Sequence, residues 1–240
     1  MRLLLLVAIL ASGVSPTPSL WIGRFNGEGP LPPPWRVVPL KPSIPPTRYR
    51  LATIDGVPAV EAVADSSMAL LARPVSVDLN RTPVLCWKWW IEAPVAAADM
   101  STKSGDDYAA RVYVAFRMPQ NALSFGTRLK LALARSIFGS AVPDAALNYV
   151  WDNRHPVGTW RKSAYTDRAQ LIVEESGSAL ARHWIDERAD VARDFNRAFG
   201  GKPGIPIEVA VATDTDNTRT HAHAAFADLR FVPRSVRCDG

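Results

Sequence analysis

The chain has 240 residues, 48% hydrophobic and 21% charged, a balance that suits a folded globular protein and excludes wholesale disorder. Two cysteines are too few for a disulfide scaffold or a four-cysteine zinc site. The formal charge of +5 is spread among interleaved acids and bases, without the basic stripe that nucleic acid requires, so no nucleic-acid partner is expected and only a weak pull toward anionic envelope polymers is implied.

Arg2 precedes an unbroken apolar run from Leu3 to Leu10, and the small residues Ala11, Ser12 and Gly13 follow. This is the layout of a secretory signal peptide, expected over residues 1–19. The run is too short for a bilayer core, which takes roughly 20 residues, and no later segment is long and apolar enough to span one. The expected location is therefore periplasmic or secreted. There a disulfide between Cys86 and Cys238 would persist and would pin the tail to a strand. The other reading makes Cys86 a small buried hydrophobe and Cys238 a free thiol.

Residues 30–46 hold eight of the 20 prolines, which forbids helix and favours extended backbone. Residues 20–47 are expected to form a proline-rich strap or linker, and Trp35, Val37, Val38 and Leu40 favour a strap lying on the domain. From residue 48 the pattern is of short strands: Tyr49–Ile54 and Pro58–Ala64 about an Asp55-Gly56 turn, Met68–Leu79, Pro83–Ala93, Tyr108–Met118, Ala146–Trp151, Ala169–Glu174, Ile205–Thr213 and His221–Val232. Two stretches have helical spacing: Arg128–Phe138, with Leu129, Leu133 and Ile137 on one face, and Arg188–Phe199, with Val191, Phe195 and Phe199. The expected fold is mainly β: one jelly-roll-like antiparallel β-sandwich over residues 48–240 with one or two helical insertions in loops.

Alternation sorts the expected strand 108–118 into an apolar face (Tyr108, Val112, Val114, Phe116) and one bearing Asp107, Arg111 and Tyr113. Arg111 offers a planar fork for carboxylates or sugar hydroxyls. Otherwise it forms a structural pair with Asp107. Asp214, Asp216 and Asn217 crowd into four residues, the oxygen-rich set that a hard cation such as calcium takes. The competing reading is a turn whose Asp and Asn side chains cap backbone N–H groups. Trp87 and Trp89 face opposite to Trp90, and most tryptophans are expected in the core, although an exposed one stacks on sugar rings. Trp151 closes a strand before Asp152. Glu174, Glu175, Asp186 and Glu187 offer carboxylate pairs of the kind used in glycoside chemistry. His221 and His223 form H-x-H without an evident third metal ligand.

Trp87-Lys88-Trp89, GDDYAARVYVAF from 105, NYVWD from 148, the run WIDERADVARDFNRAFG from 184, ATDTDNT from 212 and AAFADLRF from 224 come in an order that resembles the bacterial family called domain of unknown function 3047. The resemblance covers about Val57 to Val232. It implies an exported protein with a jelly-roll-like sandwich and brings no established activity. Asp106, Asp107, Arg111, Trp151, Asp194, Asp214, Asp216 and Asn217 fall in its motifs.

These observations lead to an exported, carbohydrate-binding-like module. It would recognise a glycan or other envelope polymer through one sheet face, with Asp106, Asp107, Arg111, Tyr113, Trp151 and Asp214 in contact and calcium on Asp214, Asp216 and Asn217. That expectation requires the Asp/Arg/Tyr face to be open, roofed by the 214–217 loop. The alternatives are an enzyme acting on envelope polysaccharide through paired carboxylates and a structural or assembly protein of the envelope.

Overall fold

The computed structural model describes residues 19–138, 142–201 and 203–239, so the expected signal peptide lies, except for Ser19, outside the described residues. Among them the strands are β1 (Leu20–Gly23), β2 (Arg36–Pro39), β3 (Arg48–Ile54), β4 (Val57–Asp65), β5 (Ala69–Pro74), β6 (Val84–Ile91), β7 (Arg111–Arg117), β8 (Ala145–Asp152), β9 (Trp160–Lys162), β10 (Ala169–Ser176), β11 (Ile185–Asp190), β12 (Ile205–Ala212) and β13 (His221–Val232). The helices are α1 (Phe125–Phe138) and α2 (Val191–Phe199).

Two sheets form. One has the order β11-β6-β13-β4-β3, with β1 added on β13, and the other β2-β5-β12-β7-β8-β10-β9. Alternation supplies one apolar face to each, and the two faces meet as a sandwich core. Leu85, Trp87, Trp89, Phe226 and Phe231 come from the first sheet, and Leu71, Val112, Val114, Leu147, Tyr149, Trp151 and Val211 from the second. Trp90 points the other way and packs with Ala59, Ala225 and Ala227. The β3–β4 turn places Asp55 and Gly56 at φ 47° and 81°, the left-handed pair that a tight hairpin requires.

The mainly β sandwich with helices in its loops is therefore the fold, with several departures from the sequence reading. β8 and β10 run parallel, which the connection through β9 permits. Residues 20–47 contribute β1 on β13 and β2 on β5, and bury Ile22, Phe25 and Trp35. The pattern read as helix from Arg188 is strand β11 up to Asp190, which then caps α2 by accepting the Arg193 N–H at 3.1 Å. In α1, Leu129 is 62% exposed, and Leu131 is the buried one among the described side chains, so the packing face there is not the expected one. The side chains of Leu133 and Ile137 lie outside the described residues. Cys86 on β6 and Cys238 are joined by a disulfide with Cα atoms 5.4 Å apart.

No helix among the described residues is long and apolar enough to cross a membrane.

Candidate functional site

The residues singled out from the Asp/Arg strand and the acidic turn do converge. β7 begins at Arg111, not at 108. Residues 106–110 leave the ladder and cross to the β12–β13 connection. There Asp214 N–H donates to the Tyr108 carbonyl at 3.1 Å, and Tyr108 N–H donates to Asp214 Oδ1 at 2.8 Å. Those two bonds turn Tyr108 away from the apolar face expected for it. It packs instead with Met100, Val150, Leu171 and Val173, on the opposite side of the sheet from Val112.

Arg111 is buried, and its fork is already in use. Nη1 bonds Asp214 Oδ2 and the Asp106 carbonyl, and Nη2 donates to Asp106 Oδ1 at 3.1 Å. With its amide oxygen turned toward the guanidinium, Asn148 accepts from Nε and Nη2 at 3.2 and 3.0 Å. The Tyr108 and Tyr113 rings lie 4.5 and 5.3 Å from the guanidinium carbon. Burial, with Asp107 and Asp106 nearby, pushes the Asp214 carboxyl up to about 8 although Arg111 beside it pulls the other way. The open, ligand-gripping face is thus corrected: the 106–108 and 214–218 segments seal it, and Arg111 is matched on every side. Asp106, Asp107, Arg111 and Asp214 are buried, whereas Tyr113 stays half-buried. Trp151 does not join them. It sits in the core 5.7 Å from the Trp89 ring and donates its indole N–H to the Gly177 carbonyl at 2.9 Å.

The expected calcium site can be tested on its donors. Asp107, Asp214 and Asp216 bring carboxylate oxygens within 4.8 Å of one another. However, Asp107 Oδ1 accepts from the Asn217 backbone and side-chain N–H groups at 3.3 and 3.1 Å, and Oδ2 accepts from the Thr218 N–H and hydroxyl at 2.6 and 2.7 Å. Both Asp107 oxygens have their lone pairs occupied. Asn217 turns its amide nitrogen, not its oxygen, toward Asp107 and Asp216, and its oxygen accepts from the Tyr165 hydroxyl at 2.8 Å. The set fits a clamp that fastens two long connections better than it fits a hard cation.

A second constellation lies where β11, the edge strand of one sheet, brings Glu187 near Glu174 of β10 in the other. The register sets Glu187 directly opposite Trp87 and Ile185 opposite Trp89, so these side chains share the inward face with Ala189. Trp89 donates its indole N–H to Glu187 Oε1 at 3.1 Å. The register shift between Val173 and Glu175 makes Glu174 the extra residue of a β-bulge, which re-aims its side chain. Tyr149 donates its hydroxyl to Asp194 Oδ2 at 3.0 Å, and its ring lies 5.4 Å from Trp87. Burial, then Glu174 and Glu175, push Glu187 up to about 9, against the opposing Trp89 bond. Burial, then Asp194 and Glu175, push Glu174 up to about 7. Among the described residues no cation pairs with either. The Trp87 indole N–H is buried without a partner.

Asp186 faces outward and lies 3.7 Å from Lys88, so the carboxylates considered together in the sequence separate here. Glu174, Glu175 and Asp194 remain half-buried at the edge, as does Trp160, over whose ring Arg197 lies at 4.0 Å. What the sequence reading lacked was Glu187 facing inward. The signal was present in the alternation Ile185, Glu187, Ala189, which a helical reading of the next residues obscured.

A separate cleft of about 760 Å³ lies between residues 77–80, α2, residues 203–206 and Arg234. It touches neither constellation, and its polar groups partly satisfy each other: Asn80 binds Asp78, Asn196 binds the Gly201 carbonyl and Arg234 binds Asp190. His223 Nε2 lies 2.9 Å from Glu61 Oε1, and among the described residues the carboxylate group Asp107, Asp214 and Asp216 is the one gathered as a metal site would be, with no histidine in it.

The family described as protein of unknown function (DUF3047) matches residues 33–230. No curated protein matches the chain. Among solved structures, the family 30 carbohydrate-binding module of a cellulosomal cellulase of Clostridium thermocellum is 8% identical, with 92% of this chain and 95% of that chain covered and a TM-score of 0.40. The xyloglucanase domain of NopAA, a type three effector from Sinorhizobium fredii in complex with cellobiose, is 10% identical, with 83% and 93% covered and a TM-score of 0.40.

Proposed function

The chain belongs to the DUF3047 family of proteins of unknown function, and from that premise we propose that it is an exported β-sandwich that recognises a saccharide of the cell envelope. Export is supported by the apolar run after Arg2 and by the Cys86–Cys238 disulfide, a bond that persists outside the reducing cytosol. The recognition site on this reading is the β10–β11 edge. One observation carries it: Glu174, Glu187 and Asp194 gather beside the core residues Trp89 and Tyr149, and among the described residues no cation neutralises Glu174 or Glu187. A protonated carboxyl donates, a carboxylate accepts and the half-buried Trp160 ring on the neighbouring β9 offers a face for stacking, and together these match hydroxyl-rich rings rather than an ion.

The mature chain titrated calorimetrically against a panel of envelope oligosaccharides tests this. Glu174→Gln and Trp160→Ala each weaken binding by about tenfold or more while the chain stays folded. Binding that survives both changes unaltered sinks the reading.

The unequal rise of the two neighbouring carboxyls, Glu187 to about 9 and Glu174 to about 7, favours a second reading, hydrolysis at the same edge. Glu187, still protonated at neutral pH, donates its proton to the glycosidic oxygen as the bond to the anomeric carbon breaks. Glu174 takes a proton from the water whose oxygen bonds that carbon. Release of new reducing ends, abolished by Glu187→Gln, separates this reading from binding alone.

A further inference from the structure

Helix α1 spans Phe125–Phe138, 14 residues, and Ser124 starts it by accepting the Thr127 N–H on its hydroxyl at 3.2 Å. Leu131 is buried and anchors the helix to the sandwich. Phe125 and Leu129 are 76% and 62% exposed. They are four residues apart and therefore share one face, a turn from each other. Arg128 is exposed beside them. The sequence of α1 carries Arg128, Lys130 and Arg135 and no acidic residue at all. Single exposed apolar side chains elsewhere need no explanation, but two large ones on one turn of a purely cationic helix form a patch with a defined chemistry.

We propose that α1 is a membrane-surface contact, lying flat on an anionic lipid bilayer with Phe125 and Leu129 in the interfacial layer and Arg128 against the headgroup phosphates. Charge complementarity selects this occupant: a helix whose sequence carries three basic residues and no acid, on a chain with an excess of basic residues, is attracted to an anionic lipid surface. At 14 residues, or about 21 Å, α1 is too short to cross the hydrocarbon core of about 30 Å, so it lies in the plane. The contact is independent of the saccharide reading, which concerns the β10–β11 edge.

The test uses the full folded chain and co-sedimentation with large vesicles. The wild-type chain sediments with vesicles of equal parts phosphatidylglycerol and phosphatidylcholine, stays in solution with phosphatidylcholine alone, and is released by high salt. Phe125→Ser with Leu129→Ser lowers sedimentation by about tenfold or more, and an unchanged melting curve shows that the loss is not unfolding. Arg128→Gln lowers it less. Equal sedimentation of wild type and double variant, or none of the wild type with anionic vesicles, overturns the proposal. So does a wild-type dimer in solution that the double variant abolishes, because the face then belongs to a second copy of the chain.

Discussion

The indole N–H of Trp89 donates to Glu187 Oε1 at 3.1 Å, and this is the hydrogen bond that the buried carboxyl receives from a side chain among the described residues. Both residues sit on neighbouring strands, β6 and β11, and point into the sandwich. A carboxylate in such a place needs a cation or several donors to remain charged. Glu187 has one neutral donor, and its other neighbours, Glu174 and Glu175, are also acids. The protein therefore stores a proton at this edge, and that proton has consequences for stability.

Glu187 is raised from its ordinary value near 4.5 to about 9 in the folded chain. Between those values the unfolded chain has lost a proton that the folded chain keeps. Unfolding therefore becomes easier as pH rises, and the stability contributed by this group is complete below about 4.5 and gone above about 9. Glu174, raised to about 7, adds to the fall over the lower part of that range. Glu61 and Asp190, both lowered, act in the opposite sense at acid pH. Glu187→Gln keeps the shape and needs no proton. Its stability at about pH 8 rises by about 2–4 kcal/mol, and the downward slope between neutral and alkaline pH flattens. Urea unfolding at a series of pH values measures this, and parallel curves for the two chains would refute it.

At the other constellation, substitution acts through an unpaired charge. Arg111 is buried and answers Asp106 and Asp214 directly. Arg111→Ala leaves both carboxylates buried without their cation and costs about 3–5 kcal/mol. Arg111→Lys recovers little, because a single ammonium cannot reach Asp106, Asp214 and Asn148 together. Urea midpoints give both values. Because the Asp107 oxygens are filled by Asn217 and Thr218, millimolar calcium leaves the melting temperature of the wild type unchanged. A clear upward shift with calcium would mean that the clamp opens to take the ion.

How much of this the sequence disclosed depended on the range of the interaction concerned. The β3–β4 hairpin, the alternation of Trp87 and Trp89 against Trp90, and the stripe Val191, Phe195, Phe199 are local patterns, and they fold as read. Arg111 could be singled out by its position in an apolar strand. Its saturation could not, because Asp214 stands 103 residues away and Asn148 comes from a neighbouring strand. The inward turn of Glu187 was hidden differently. Strand β11 reads IDERAD, with four charged residues in six, so its period of two is carried by Ile185 and Ala189 alone. Only pairing with the indole-rich β6 makes it a strand.

The disulfide acts mainly on the unfolded chain. Cys86 and Cys238 are 152 residues apart in sequence. Closing so long a loop restricts the unfolded ensemble by up to about 5 kcal/mol on the chain-entropy account. Cys86→Ser with Cys238→Ser lowers the urea midpoint accordingly. It also frees the segment after β13, which Arg230 otherwise holds by donating to the Cys238 carbonyl at 2.7 Å. Limited proteolysis then trims the tail of the variant and not of the wild type. A variant that loses neither stability nor tail protection would show that packing alone holds the tail.

The approach to the Arg111 clamp depends on one glycine. Gly105 is buried, and a Cβ placed there would lie 2.7 Å from the Asp99 nitrogen and 2.8 Å from the Asp99 Cβ. The same Asp99 nitrogen donates to the Gly105 carbonyl at 2.7 Å, and Asp107 N–H donates to that carbonyl at 2.8 Å. Gly105 thus closes the 99–105 turn and hands the chain on to Asp106 and Asp107. Alanine at 105 must push backbone aside, because no flexible side-chain end is available to yield. Gly105→Ala therefore costs about 1–3 kcal/mol and loosens the turn locally, so that protease cleavage within the exposed residues 101–104 quickens. Gly126, in the first turn of α1, is the control. A Cβ there meets nothing within 4 Å, so Gly126→Ala stabilises by up to about 1 kcal/mol. If both substitutions moved stability in the same direction, the close approach at Gly105 would not be what holds that turn.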